Sequence, residues 1–104
     1  MSNYPLATNT WDEKELQAIQ SVLDEGVYTM GDSVEQFEKN FAKFINRKYC
    51  VMVSSGSAAN LIATATLFYT KSPMLKRGDE VIVPAVSWST TYFPLQQYGL
   101  KLKF

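Results

Sequence analysis

Apolar positions in the first half of the chain recur at the spacing of a helix. Leu16, Ile19, Val22 and Leu23 share one stripe of a segment that Thr10 or Asp12 can cap and that Gly26 ends. A second stripe, Val34, Phe37, Phe41 and Phe44, lies opposite Glu35, Glu38, Lys39 and Lys43, behind a cap at Asp32 or Ser33. The pattern predicts two amphipathic helices, each with one face to pack and one to wet. Between them, Val27-Tyr28-Thr29-Met30-Gly31 is apolar yet bounded by glycines, which suits an ordered connector better than a flexible linker.

At Tyr49 the period changes. Tyr49 to Val53 is a continuous β-favouring apolar run, the pattern of a strand covered on both faces. Ala58 to Tyr69 reads as a helix that is apolar almost all round, which predicts burial between layers. Pro73 and the polar Lys76-Arg77-Gly78-Asp79 segment then turn the chain into a second short strand, Glu80 to Val83. Hydroxyl residues around Trp88 open a last helix that runs to about Tyr98, with Gly99 as its C-terminal cap. Pro94 suits this helix only if it lies near the first turn, where few backbone donors have helical partners. Leu100 to Phe104 completes a strand, helix, strand, helix, strand order. That order belongs to the α/β class, a mostly parallel sheet with helices on both faces.

Composition narrows the picture without changing it. The chain has 104 residues, 46% hydrophobic and 19% charged, so one globular domain at most is expected. Ten basic residues balance ten acidic ones and no like-charge run occurs, so no partner among nucleic acids or anionic membranes is indicated. Any anion must be held locally. The start, Met1 to Leu6, is neither basic nor continuously apolar, which argues against a signal peptide or membrane anchor and makes the cytoplasm the expected location. Cys50 sits in an apolar run as a small core residue. Histidine is absent, which excludes a histidine base and histidine metal ligands from this segment; no metal site is expected.

Two stretches carry chemistry. Val53-Ser54-Ser55-Gly56-Ser57-Ala58-Ala59-Asn60-Leu61 sets a small, hydroxyl-rich turn between a strand and a helix. Gly56 lets the backbone approach an anion, Ser57 adds a hydroxyl, and the free amides of the helix start favour negative charge by up to about 2 kcal/mol. A serine-rich cap without a ligand is an equally open reading of the same residues. Neither GxGxxG nor GxxxxGK[ST] is present, which disfavours a dinucleotide fold or a P-loop. The second stretch, Pro84-Ala85-Val86-Ser87-Trp88-Ser89-Thr90-Thr91, follows the C-terminal end of a strand, the edge where α/β sheets gather ligands. Trp88 there can stack on a flat ring, worth about 0.5–1.5 kcal/mol beyond area burial. In isolation it also reads as a large core residue, with Ser89 or Thr90 as a helix cap.

Together, VSSGSAANL and KRGDEVIVPAVSWSTTYFPLQQYG closely resemble the pyridoxal-phosphate (PLP) dependent sugar aminotransferase family of fold type I. The likeness extends over essentially the whole chain, including YPLATNTWDEKE and YTMG. It implies N-terminal helices over residues 1–47 and the start of the large α/β domain over 48–104, truncated. By that resemblance Gly56 and Ser57, with the amide of Ala58, hold the phosphate of pyridoxal 5'-phosphate or pyridoxamine 5'-phosphate, and Trp88 lies against the pyridine ring. Tyr28, Thr29, Met30 and Gly31, with Ser87 and Ser89, border a nucleotide-sugar pocket; the Tyr28 loop reads equally as a hydrophobic connector.

Within the family the chain looks most like the branch that removes the C3 hydroxyl of a nucleotide-linked 4-keto-6-deoxy sugar in surface polysaccharide (O-antigen) biosynthesis, with glutamate as amino donor. A ketone at C4 acidifies the C3 side, and the cofactor ring takes up electrons as the hydroxyl leaves. In this branch a histidine stands in place of the family's lysine. That base and the acidic partner of the pyridine nitrogen lie beyond position 104, so no catalytic residue is expected in this segment. The alternatives are a perosamine-synthase-like 4-aminotransferase, an inactive truncated fragment, and a non-enzymatic phosphate-binding α/β module. The resemblance further implies a homodimer, with the sheet neighbours of Tyr49 to Val53 supplied from later in the chain.

Overall fold

The computed structural model describes Pro5 and residues 7–104. It divides into two compact units, Met1–Cys50 and Val51–Phe104. In the first unit, α1 spans Glu13–Glu25 and begins with a full capping box. The Asp12 carboxylate accepts from the Lys14 amide at 2.7 Å, and the Glu15 carboxylate accepts from the Asp12 amide at 2.7 Å. Asp12, not Thr10, is therefore the cap. Gly26 closes the helix at φ +69°, where only glycine is unstrained, and its N–H donates to the carbonyls of Val22 and Leu23.

Helix α2, Asp32–Phe44, has its N-cap before either expected cap. Its N-cap is Gly31, whose carbonyl accepts from the amides of Val34 at 3.0 Å and Glu35 at 3.1 Å. Asp32 and Ser33 are thus inside the first turn, where Asp32 and Glu35 complement the helix dipole instead of capping. Phe37 stacks on Phe41 with centroids 5.6 Å apart, and Ala42 is buried. Most of both apolar stripes is uncovered: α1 has no buried residue, and Phe44 is 85% exposed. Amphipathic periodicity created the helices, and within this unit most of each stripe stays uncovered.

The second unit holds α3 (Gly56–Tyr69), β1 (Glu80–Ile82), α4 (Ser89–Gln97) and β2 (Lys101–Lys103). Strands β1 and β2 pair in parallel, Glu80 opposite Lys101 and Ile82 opposite Lys103, with α4 as the crossover between them. Ion pairing of Lys103 with Glu80 at 3.1 Å reinforces that register. The expected strand at Tyr49 to Val53 does not form, and Tyr49 and Val51 are 74% and 71% exposed. A strand exists only through ladder bonds to a neighbour, and among the described residues nothing pairs with this run. Val83, Leu100, Pro94 and Thr64 are the buried positions of the unit. Helix α3 packs one side on α4, through rings such as Phe68 and Tyr98 5.0 Å apart, while Ile62 and Tyr69 face outward. It is not enclosed all round.

Gly99 turns α4 into β2 at φ +75°, an angle that favours glycine; a Cβ there would lie 2.8 Å from the guanidinium at the movable end of Arg77. Pro94 does not lie in the first turn of α4. It is the sixth helical residue, where its missing N–H deprives the Thr90 carbonyl of the usual donor four residues on.

Candidate functional site

The site begins with the cap of α3. Ser55 Oγ accepts from the Ala58 amide at 3.1 Å, and the Ser55 carbonyl accepts from Ala59 N at 3.0 Å. This arrangement leaves the Gly56 and Ser57 amides without partners among the described residues. The Ala58 amide, assigned by resemblance to the same ligand, is already engaged by Ser55. At Gly56 a Cβ would meet no atom within 4 Å and the backbone is not left-handed. Two free N–H groups at the positive end of a 14-residue helix suit a phosphate.

Trp88 is the N-cap of α4 by backbone, with no side-chain cap bond, and neither Ser89 nor Thr90 caps in its place. Its indole is 84% exposed and so is no core residue of this unit. The turn that presents it is held from within: Tyr92 Oη donates to the Pro84 carbonyl at 2.8 Å, and the Ser87 and Thr91 hydroxyls meet at 2.8 Å. Ser89 opens the helix on the same edge.

Asn60 joins the two motifs. Its Nδ2 donates to the Thr90 carbonyl at 3.2 Å, across 30 positions of sequence. Between α3 and α4 lies a cleft of about 230 Å³ lined by Ser57, Ala58, Leu61, Thr90, Phe93 and Pro94. Sequence reasoning passed over Asn60 and Tyr92. The available signal was an amide one turn into an otherwise apolar helix, together with a proline four residues after Thr90. Hydroxyls, amides and an indole make up this edge, groups that bind and orient but carry no base for proton transfer at neutral pH.

Tyr28, Thr29 and Gly31 belong to the first unit, where they line a hollow of about 380 Å³ with Val22 and Val34. Tyr28 Oη donates to the Leu23 carbonyl at 3.2 Å, and Met30 is 68% exposed. A larger hollow of about 560 Å³ is lined by Glu35, Lys39, Lys43, Arg47 and Lys48 and contains none of the residues that the motifs single out. There Lys39, by its hydrogen bond and then its charge, holds the Glu35 carboxyl below its ordinary value.

The helix start with free amides, on α3, and the turn that exposes Trp88, before α4, belong to two helices that pack together in one α/β unit. Residues 9–104 match the DegT/DnrJ/EryC1/StrS aminotransferase family, and the chain belongs to it. Over 104 residues it is 67% identical to the GDP-4-keto-6-deoxy-D-mannose 3-dehydratase of Yersinia pseudotuberculosis, covering 100% of this chain and 26% of that protein. The structure of E. coli GDP-4-keto-6-deoxy-D-mannose-3-dehydratase with bound hydrated PLP matches with a TM-score of 0.88 at 66% identity, covering 98% of this chain and 26% of that one. A GDP-4-keto-6-deoxymannose-3-dehydratase with a trapped PLP-glutamate geminal diamine matches with TM-score 0.88 and 66% identity, over 96% of this chain and 26% of that one. The fold is part of the large α/β domain of a fold type I PLP-dependent transferase, and the chain spans 26% of the length of these relatives. Among the described residues no helix is long and apolar enough to cross a membrane.

Proposed function

We propose that this chain supplies the phosphate cradle and ring platform of a PLP-dependent enzyme that dehydrates a GDP-linked 4-keto-6-deoxy sugar at C3. The observation that carries the reading is the juxtaposition, through the Asn60 to Thr90 bond, of the free amides of Gly56 and Ser57 with the α4 turn that exposes Trp88. The residues fit the cofactor. Gly56 and Ser57 would hold its phosphate by backbone N–H groups and the Ser57 hydroxyl, and the Trp88 indole would cover its ring. When bound, PLP supplies an electron sink for loss of the C3 hydroxyl, with the amine drawn from glutamate. The chain's own part is to bind, to orient and to exclude water. Ser87 and Ser89 border the sugar nucleotide, and the Tyr28 to Gly31 loop contributes to the same pocket. Proton transfer falls to residues in the three-quarters of the relatives' length that this chain does not span. The protein works in the cytoplasm as a homodimer.

The identity of 67% to a 3-dehydratase favours dehydration over 4-amination, which would use the same cofactor and a similar sugar. The test is the protein carrying this chain, incubated with PLP, glutamate and GDP-4-keto-6-deoxymannose, with products read by mass spectrometry. A C3-deoxy product is expected. An aminated sugar would establish the 4-aminotransferase reading instead, and conversion to neither product with PLP and glutamate in excess would sink both.

A further inference from the structure

The bond between Asn60 and Thr90 answers a specific defect in α4. Pro94 has no N–H to give the Thr90 carbonyl. Asn60 Nδ2 takes the vacant place at 3.2 Å. Asn60 lies one turn from Gly56 and Ser57, and Thr90 lies two residues from Trp88. The carbonyl that the proline frees thus becomes the attachment point that locks the opening of α4 to the opening of α3. Tyr92 and Ser87 shape the Trp88 turn internally, whereas Asn60 sets where that turn stands relative to the phosphate cradle.

The geometry points to Asn60 as a positioning residue for the cofactor: it touches no ligand itself, but fixes the distance between the amides that hold the phosphate and the indole that covers the ring. The inference rests on the cofactor reading above. Its test uses the protein carrying this chain with Asn60→Leu, which removes the amide, and Asn60→Asp, which keeps its shape but replaces the donor with an acceptor. PLP dissociation constants, the visible circular dichroism of bound PLP and the far-ultraviolet spectrum of the apoprotein are measured well below the melting temperature.

Both variants should weaken PLP binding roughly three- to tenfold, the range of one lost hydrogen bond, and change the visible band while the far-ultraviolet spectrum stays native. In a Pro94→Ala background, where residue 94 regains an N–H for Thr90, Asn60→Leu should weaken binding by a smaller factor than it does alone. Wild-type PLP affinity and an unchanged visible band in both variants, whatever their melting temperatures, would overturn the inference. So would additive losses in the double variant, or a native Asn60→Asp beside an impaired Asn60→Leu, which would make the site one of packing. If Asn60→Leu proves unfolded, the neutral Asn60→Ala decides alone, since the carboxylate of Asn60→Asp would also repel a phosphate one turn away. Wild-type protein that binds no PLP would defeat the cofactor reading, a result distinct from variants that bind it normally.

Discussion

Nothing among the described residues requires glycine at position 56. Its backbone is not left-handed and a Cβ would meet no neighbour within 4 Å, so neither strain nor packing excludes a larger residue. Glycine in a helix is disfavoured relative to alanine by roughly 0.5–1 kcal/mol. Gly56→Ala should therefore leave the melting temperature of the apoprotein unchanged or slightly raised. The same methyl, and more severely the branched side chain of Gly56→Val, should weaken or abolish PLP retention by intruding on the phosphate. Absorbance of retained PLP beside an apoprotein melt checks both halves, and ordinary affinity in Gly56→Val would remove this turn as the cradle. For Trp88, 84% exposed, Trp88→Ala should deplete cofactor retention with little change in stability. A large fall in melting temperature with retention intact would instead show the indole to be buried core in the whole protein.

The helices show how capping and tertiary context divide the work. A 13-residue helix with no buried residue, such as α1, has little beyond its caps to hold it within this unit. Asp12→Ala removes one arm of the capping box and should destabilise the protein by about 1 kcal/mol, read from denaturant unfolding. Asp12→Ser, which can still accept from the first-turn amides, should recover most of that loss. Helix α4 is the opposite case. Its interior proline would ordinarily break the ladder, and a contact from α3 repairs the defect.

For the molecule as a whole, exposed apolar surface is the dominant feature. Ile82 is 89% exposed, Val86 93% and Phe104 76%, and the two strands leave backbone groups open on both edges of their sheet. Such edges pair with other chains. Residues 1–104 expressed alone should associate or aggregate, unfold without a sharp transition, and show neither dehydratase nor transaminase activity. Sedimentation velocity and a thermal melt check this, and a monomer that melts cooperatively with stoichiometric PLP would refute it. The protein carrying this chain should sediment as a homodimer.

How much of this was written in the chain can be judged element by element. Local physics determined the helices: the stripes of Leu16, Ile19, Val22 and Leu23 and of Val34, Phe37, Phe41 and Phe44 each became one, and Asp12 and Gly26 mark the ends of the first. The motifs around Gly56 and Trp88 sufficed to point to the family that residues 9–104 match, because a sequence motif is short and local. Three matters were decided only by the fold. The ladder of α2 starts at Gly31 because that carbonyl, and no Asp32 or Ser33 side chain, receives the first amides. Tyr49 to Val53 has strand composition but forms no strand, since a ladder bond requires a partner that composition does not supply. Asn60 and Pro94, separated by 34 positions of sequence, acquire a joint role only when α3 and α4 meet, because a hydrogen bond depends on distance in space and periodicity describes only distance along the chain.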